Sequence, residues 1–287
     1  MTRREFAITT AALPAALSAA APRPTLCFFS KHLQDLDYPQ LGKTLRNTGF
    51  AGVDLTVRPQ GHVLPERVAE DLPRAYEAIR AQGVQVPMIS TGLVSASDPA
   101  ARPTLKTAAR LGIPYFKLGY FRWGNNIAGT LGEVKSSLQG LLELAKEYGI
   151  SAGMHNHVGY VGQAVWDTQS MIADMDPKRL GYYFDFHHAV AQGAGNAWEI
   201  NLRLASARLQ MVATKDFNWA KVNGAWRTES CPLGQGAVDW PKAFSVLASL
   251  KFSGPLSIHQ EYKAADRPAA AHQDLEFVKS QIEKAYA

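Results

Sequence analysis

The stretch SAGMHNHVG (residues 151–159) opens on small and apolar residues, carries His155, Asn156 and His157, and breaks at Gly159. A short apolar run that closes on polar residues before a glycine reads as a buried strand whose last residues leave the core. Positions i and i+2 of a strand point the same way, so both imidazoles stand on one face. Two histidines on one face of a strand end either fill a polar pocket or form part of a site.

Seven further runs have the same character: TLCFFS (25–30), GVDLT (52–56), VQVPMIS (84–90), YFKLGYF (115–121), LGYYFDF (180–186), LQMVATKDF (209–217) and PLSIHQEY (255–262). Between them lie helix-periodic segments such as LPERVAEDLPRAYEAIRAQG and GEVKSSLQGLLELAKEYG, several closing on glycine. Strand starts are separated by 27, 32, 31, 36, 29, 29 and 46 residues, a spacing that holds one strand and one helix. Eight such units predict an α/β fold, a single-domain (β/α)8 TIM barrel, closed by a final helix in HQDLEFVKSQIEKAYA. A doubly wound open sheet is the alternative, but it normally brings a glycine-rich phosphate loop, and no G-x-G-x-x-G or Walker pattern occurs.

Barrel enzymes carry their sites at the C-terminal ends of the strands. Of eight histidines, His155, His157, His187, His188 and His259 lie at or just past such ends, and His62 follows the second run; His32 and His272 fall elsewhere. Strand parity puts His155 with His157, Asp185 with His187, Ala213 with Lys215, and His259 with Glu261. Asp185, set among Tyr183, Phe184 and Phe186, needs a cation or several donors if it is buried and ionised. His155, Asp185, His259 and Glu261 therefore form a candidate set for a divalent metal such as Mn, Co, Zn or Mg. His155, His259, Glu261 and Lys215 are the candidate catalytic groups, although Lys215 beside Asp216 also suits a plain internal ion pair. Trp123, Trp166, Trp198, Trp219 and Trp226 all follow strands four to seven. Exposed rings around a polar pocket suit the C–H faces of sugars, whereas packing of loops onto the barrel is their ordinary use. His157, His188, Trp123, Trp166, Trp219, Arg58 and His62 are the expected substrate contacts.

The N-terminal segment TRREFAITTAALPAALSAAA pairs Arg3 with Arg4 ahead of a weakly apolar, alanine-rich run that ends in small residues. It has the form of a twin-arginine export signal over residues 1–20, leaving a mature domain of 21–287 that is periplasmic or secreted. The run is too short for a membrane span. Removing it changes the net charge from +5 to +4, too mild for a nucleic-acid partner. The two cysteines, Cys27 and Cys231, fall on opposite ends of the predicted fold and are not expected to pair. A homo-oligomer is compatible with the sequence.

HNH after strand five, DFHHA after six, KDF after seven, then PLGQGAVDW and SIHQEY, resemble in order the xylose isomerase-like barrel proteins, often labelled sugar phosphate isomerase/epimerase. The resemblance covers nearly the whole mature chain and extends to an exported subgroup. It implies a metal-binding glutamate at the place of His155, an aspartate at Asp185, a histidine at Ala213 and a second glutamate at His259. In epimerases of this kind the two glutamates exchange protons with the sugar carbon next to a carbonyl while the metal polarises the oxygens. Here only the aspartate is retained, so Glu261 is expected as fourth ligand, base or orienting group. The resemblance thus implies a metal-dependent isomerase or epimerase acting on a free or oxidised sugar or glycoside. Lyase or hydratase chemistry on a keto-glycoside and a non-catalytic sugar-binding barrel are the alternatives. The DNA-repair branch of the fold, which needs more metal ligands and a basic surface, does not fit.

Overall fold

The computed structural model describes residues 22–193 and 195–287, so the expected signal over residues 1–20 lies outside the described residues. Eight parallel strands close a barrel in the spatial order β1 (Thr25–Phe29), β10 (Pro255–Ile258), β7 (Leu209–Thr214), β6 (Leu180–Asp185), β5 (Ser151–His155), β4 (Tyr115–Lys117), β3 (Gln85–Thr91) and β2 (Gly52–Val57). Helices cover the outside, among them α1 (Tyr38–Thr48), α2 (Val68–Arg80), α3 (Ala101–Arg110), α4 (Ile127–Tyr148), α5 (Val165–Gln169), α6 (Phe186–Gln192), α7 (Ala197–Ala205), α8 (Trp240–Ser249) and α9 (Arg267–Ala285). The predicted TIM barrel is the observed fold. Local chemistry sets the helix ends: Asn126 caps α4 by accepting from the Gly129 N–H, and Gly149 ends it in the left-handed region.

Several of the predicted strands end early, among them the run 255–262, which stops at Ile258. The run 115–121 stops at Lys117 because the chain turns at Gly119, whose N–H donates to the Leu93 carbonyl at 2.7 Å and whose Cα packs on the Gly92 backbone where a side chain would collide. The run 209–217 stops at Thr214, and Asp216 begins a separate hairpin, β8 (Asp216–Val222) and β9 (Ala225–Cys231), joined at Asn223-Gly224 with both residues at positive φ. That hairpin fills the long 46-residue interval before the last barrel strand. It also separates the cysteines, and both thiols are free.

Strand register carries the inward face around the barrel. Tyr183 pairs with both His155 and Met211, Asp185 with Ala213, Ala213 with Ser257, and Gly153 with Lys117. The lower interior is apolar, a cluster of Met88, Tyr183, Met211 and Ala213. Above it Asp54 accepts from Ser90 Oγ at 2.8 Å, the Tyr183 hydroxyl at 2.8 Å and Ser257 Oγ at 3.0 Å. Burial pushes this carboxyl up from its ordinary pKa, and the three donors oppose the shift. The polar mouth is built on this layer.

Candidate active site

A cavity of about 120 Å³ opens at the C-terminal ends of the strands, lined among others by Arg58, Lys117, Tyr120, His155, Lys215 and His259.

Asp185 ends β6 and organises one wall. Asn156, just past β5, clamps its backbone, accepting from the Asp185 N–H at 2.7 Å and donating to its carbonyl at 3.0 Å. Oδ1 caps α6 by accepting from the His188 N–H at 3.1 Å. Oδ2 accepts from His155 Nε2 at 3.0 Å and lies 3.2 Å from Lys215 Nζ. Lys215 Nζ also donates to His188 Nε2 at 2.9 Å and lies 3.6 Å from Glu261 Oε2. Burial raises the Asp185 carboxyl, but Lys215, His188 and His155 together hold it well below the usual carboxylate range. The same balance applies to Glu261, where Lys215 and Lys31 outweigh burial and lower it.

Two imidazoles face the cavity in matching states. His155 gives its Nε2 proton to Asp185, which leaves Nδ1 as an acceptor 3.5 Å from the Tyr120 hydroxyl. His259 Nε2 donates to the Tyr183 oxygen at 2.9 Å, since the Tyr183 proton goes to Asp54. Its Nδ1 has no hydrogen-bond partner among the described residues and stands 3.9 Å from Glu261 Oε1. Burial lowers the pKa of both, His155 to about 4 against the pull of Asp185, and His259 well below its ordinary value. Both rings are therefore neutral near pH 7. Their centroids are 6.4 Å apart with planes at 86°.

The structure brings together His155, Asp185, Lys215, His259, Glu261, His157 and Arg58 at one mouth and places His188 behind Lys215. His157 lines the cavity with its ring 4.1 Å from that of His188. Strand parity fails after Asp185 because α6 starts at Phe186: His188 returns to the site at i+3, while His187 turns away to stack on Phe217. His62 lies outside the lining, bonded to the Thr56 hydroxyl and the Leu33 carbonyl. Trp123 packs against the core, and Trp166 and Trp219 are about half exposed outside the cavity. Aromatic walls come instead from Phe29, which stacks on His259 at 4.3 Å, and from Tyr120. His32, set apart in sequence, comes within 6.4 Å of His259.

Three residues escaped the sequence reading. Lys117, Tyr120 and Asp54 all stand on runs taken as ordinary strand, and the early end of β4 is what puts Lys117 and Tyr120 at the mouth. Burial lowers the Lys117 pKa to about 7, with Arg58 adding to the shift. Asp216, in contrast, makes no pair with Lys215. Its carboxylate accepts from the N–H groups of Phe217, Gly234, Gly236 and Val238 and from Trp240 Nε1, at 2.8–3.2 Å.

The Xylose isomerase-like TIM barrel model matches residues 42–281. The chain belongs to this family. A curated relative, an uncharacterised protein of Methanocaldococcus jannaschii, is 26% identical over 142 residues, 48% of this chain; the chain spans about half the length of that relative, 46%. The fold is shared with a xylose isomerase domain protein from Planctomyces limnophilus at TM-score 0.70 and 21% identity, covering 92% of this chain and 99% of the other. A D-tagatose 3-epimerase-like protein gives 0.71 and 19%, covering 91% and 98%. A xylose isomerase-like TIM barrel protein from Mycobacterium smegmatis, in complex with magnesium, gives 0.73 and 14%, covering 94% and 100%.

A metal is thus the group to test against this family member's own residues. His155, Asp185 and His188 offer donor atoms that all lie within 4.8 Å of one another, a suitable set by type. The other two expected ligands, His259 and Glu261, are not in that group. The obstacle is Lys215, whose Nζ stands within hydrogen-bond distance of two of the three donors. Metal–ligand bonds of about 2.0–2.2 Å would put an ion on top of that nitrogen. With Lys215 in place the residues do not fit a divalent ion, and the ammonium supplies the local positive charge.

Proposed function

We propose that this barrel is a sugar isomerase/epimerase-like enzyme that moves a proton at the carbon next to a carbonyl, and that it does so with His155 and His259 as a pair of bases. The observation that carries this reading is the pair itself. Two neutral imidazoles on β5 and at the end of β10 each have Nε2 anchored from behind and Nδ1 left as an acceptor. They stand where the resemblance implies two glutamates, and two bases around one carbon are what proton removal on one side and return on the other require. Asp185 behind His155 stabilises the imidazolium as it forms. Lys215, held by Asp185, His188 and Glu261, faces the developing enolate oxygen as a preorganised cation. Because both rings rest neutral, the proton that His259 returns is one its Nδ1 first takes from solvent by way of Glu261, 3.9 Å away, and His155 releases the abstracted proton to solvent in turn.

Loss of a β-substituent after the same proton removal would make the reaction an elimination, and product analysis separates the two. The proposal keeps residues 1–20 as a twin-arginine signal and 21–287 as an exported single domain; the mass of the protein recovered from the periplasmic fraction checks it. Catalysis is tested by incubating a panel of ketohexoses and keto-glycosides with the enzyme in D2O and following deuterium entry by NMR. Entry with the wild type, and a loss of at least about 100-fold in His155→Ala and in His259→Ala, is the expected result. Unchanged exchange in both variants overturns the reading.

A further inference from the structure

Four cationic side chains line the cavity: Lys31, Arg58, Lys117 and Lys215. Only Lys215 has a carboxylate within 4 Å among the described residues. Lys117 is 4% exposed, yet its amine has no hydrogen-bond or ion-pair partner among the described residues and rests 3.4 Å above the Tyr120 ring. Arg58 faces the same cavity with its guanidinium 5.7 Å from the centre of the Phe29 ring, and its buried Nε is also unpartnered. The buried, unpartnered Arg58 Nε and an amine that opens on the same cavity with no counter-ion within 4 Å together point to an anionic ligand that satisfies both.

We infer that Arg58 and Lys117 form an anion subsite that takes the carboxylate of an oxidised sugar, so that the substrate class is a keto-sugar acid and not a neutral sugar. The inference rests on the sugar reading above and narrows it. A planar guanidinium fork matches carboxylate geometry, and Lys117 adds a point charge from the floor. The charge count favours a monoanion. In ordinary charge states the four cations face Glu261 in the lining and Asp54 and Asp185 directly behind it, a surplus of one. Burial holds the Lys117 pKa near 7, so an arriving anion also draws this amine into its charged state. A carboxylate at Arg58 and Lys117 would fix the sugar by one end and leave its neighbouring carbons between His155 and His259, which line the same cavity.

Calorimetry on the full-chain protein tests this with D-glucuronate, D-galacturonate, the neutral parent hexoses, the hexose 6-phosphates and lactate. Uronates binding at least about tenfold more tightly than neutral hexoses, with the preference weakened by salt and abolished in Lys117→Met and Arg58→Gln, is the expected result. Circular dichroism shows whether each variant is folded, and two variants on different strands guard against one that is not. Equal binding of uronate and neutral sugar overturns the inference but leaves the sugar reading standing. Lactate bound through Arg58 with no sugar bound supports the anion subsite and removes the sugar reading. Tighter binding of the 6-phosphates than of the uronates, or no binding of any anion, overturns the assignment.

Discussion

Asp185 closes β6 and Asp216 opens the β8–β9 hairpin just past β7; both are buried and set among aromatic residues, and their partners differ in kind. Asp185 is satisfied mostly by side chains that carry or move protons: His155, Lys215 and, through its backbone N–H, His188. Asp216 is satisfied by four backbone N–H groups and one indole, all from its own hairpin and the PLGQGAVDW loop. A carboxylate whose donors are fixed backbone is a fold determinant. One whose donors are titratable side chains facing a cavity is part of a site. The family-like signature in KDF and PLGQGAVDW therefore has a structural cause, and Gly236 belongs to it, because a side chain there would run into the Asp216 carboxylate.

Asparagine at the two positions should break the pair apart. Asp216→Asn turns an amide NH2 towards donors, and several N–H groups lose their acceptor. Unfolding should become easier by about 3–5 kcal/mol, with Tm lower by on the order of 10 °C in calorimetry. Asp185→Asn keeps the shape, and Lys215 retains Glu261, so the stability cost should be about 1–3 kcal/mol while proton exchange falls at least 100-fold. The reverse ranking, a stable Asp216→Asn or an active Asp185→Asn, would falsify the division of roles.

The barrel itself was legible because eight apolar runs at near-constant spacing leave few other folds, and strand parity brought His155, Asp185, Lys215, His259 and Glu261 to one mouth. Parity carries no information on where a strand stops, and that is where the site was misread. β4 ends at Lys117 through a close backbone approach at Gly119, and β6 passes into α6 at Phe186, so Lys117 and Tyr120 stand at the mouth and His187, which parity put on the face of Asp185, turns away from it. The direction of a loop tryptophan is likewise set by tertiary packing, which put Trp166 and Trp219 outside the cavity.

Lys117 extends the comparison to a buried cation without a partner. Its pKa, lowered from 10.5 to about 7, means that the unfolded chain binds the proton more tightly. The penalty is fully present below about pH 7 and is relieved as pH rises from 7 towards 10.5, so wild-type stability contains a component that increases across that window. Lys117→Met should therefore raise stability by roughly 1–3 kcal/mol at pH 6, with the gain shrinking towards pH 10. A constant difference at all pH values would show that packing and not charge is the cause. Trp166→Ala and Trp219→Ala should change exchange rates by no more than about twofold, the scale of surface substitutions within ±0.5 kcal/mol. A larger loss would place one of these rings against the substrate.

The central claim is that the Lys215 ammonium stands where a divalent ion would stand and that the two histidines exchange the proton without one. Deuterium entry into a turned-over sugar, measured after exhaustive chelation with EDTA, tests it most directly, with elemental analysis of the same samples and of Lys215→Met. Chelated wild-type enzyme should exchange deuterium undiminished and carry no stoichiometric metal. Lys215→Met should be slow and should gain affinity for Mn2+ or Zn2+ through the vacated His155, Asp185 and His188 donors. Exchange that disappears on chelation and returns with one equivalent of metal per chain in the wild type would contradict it.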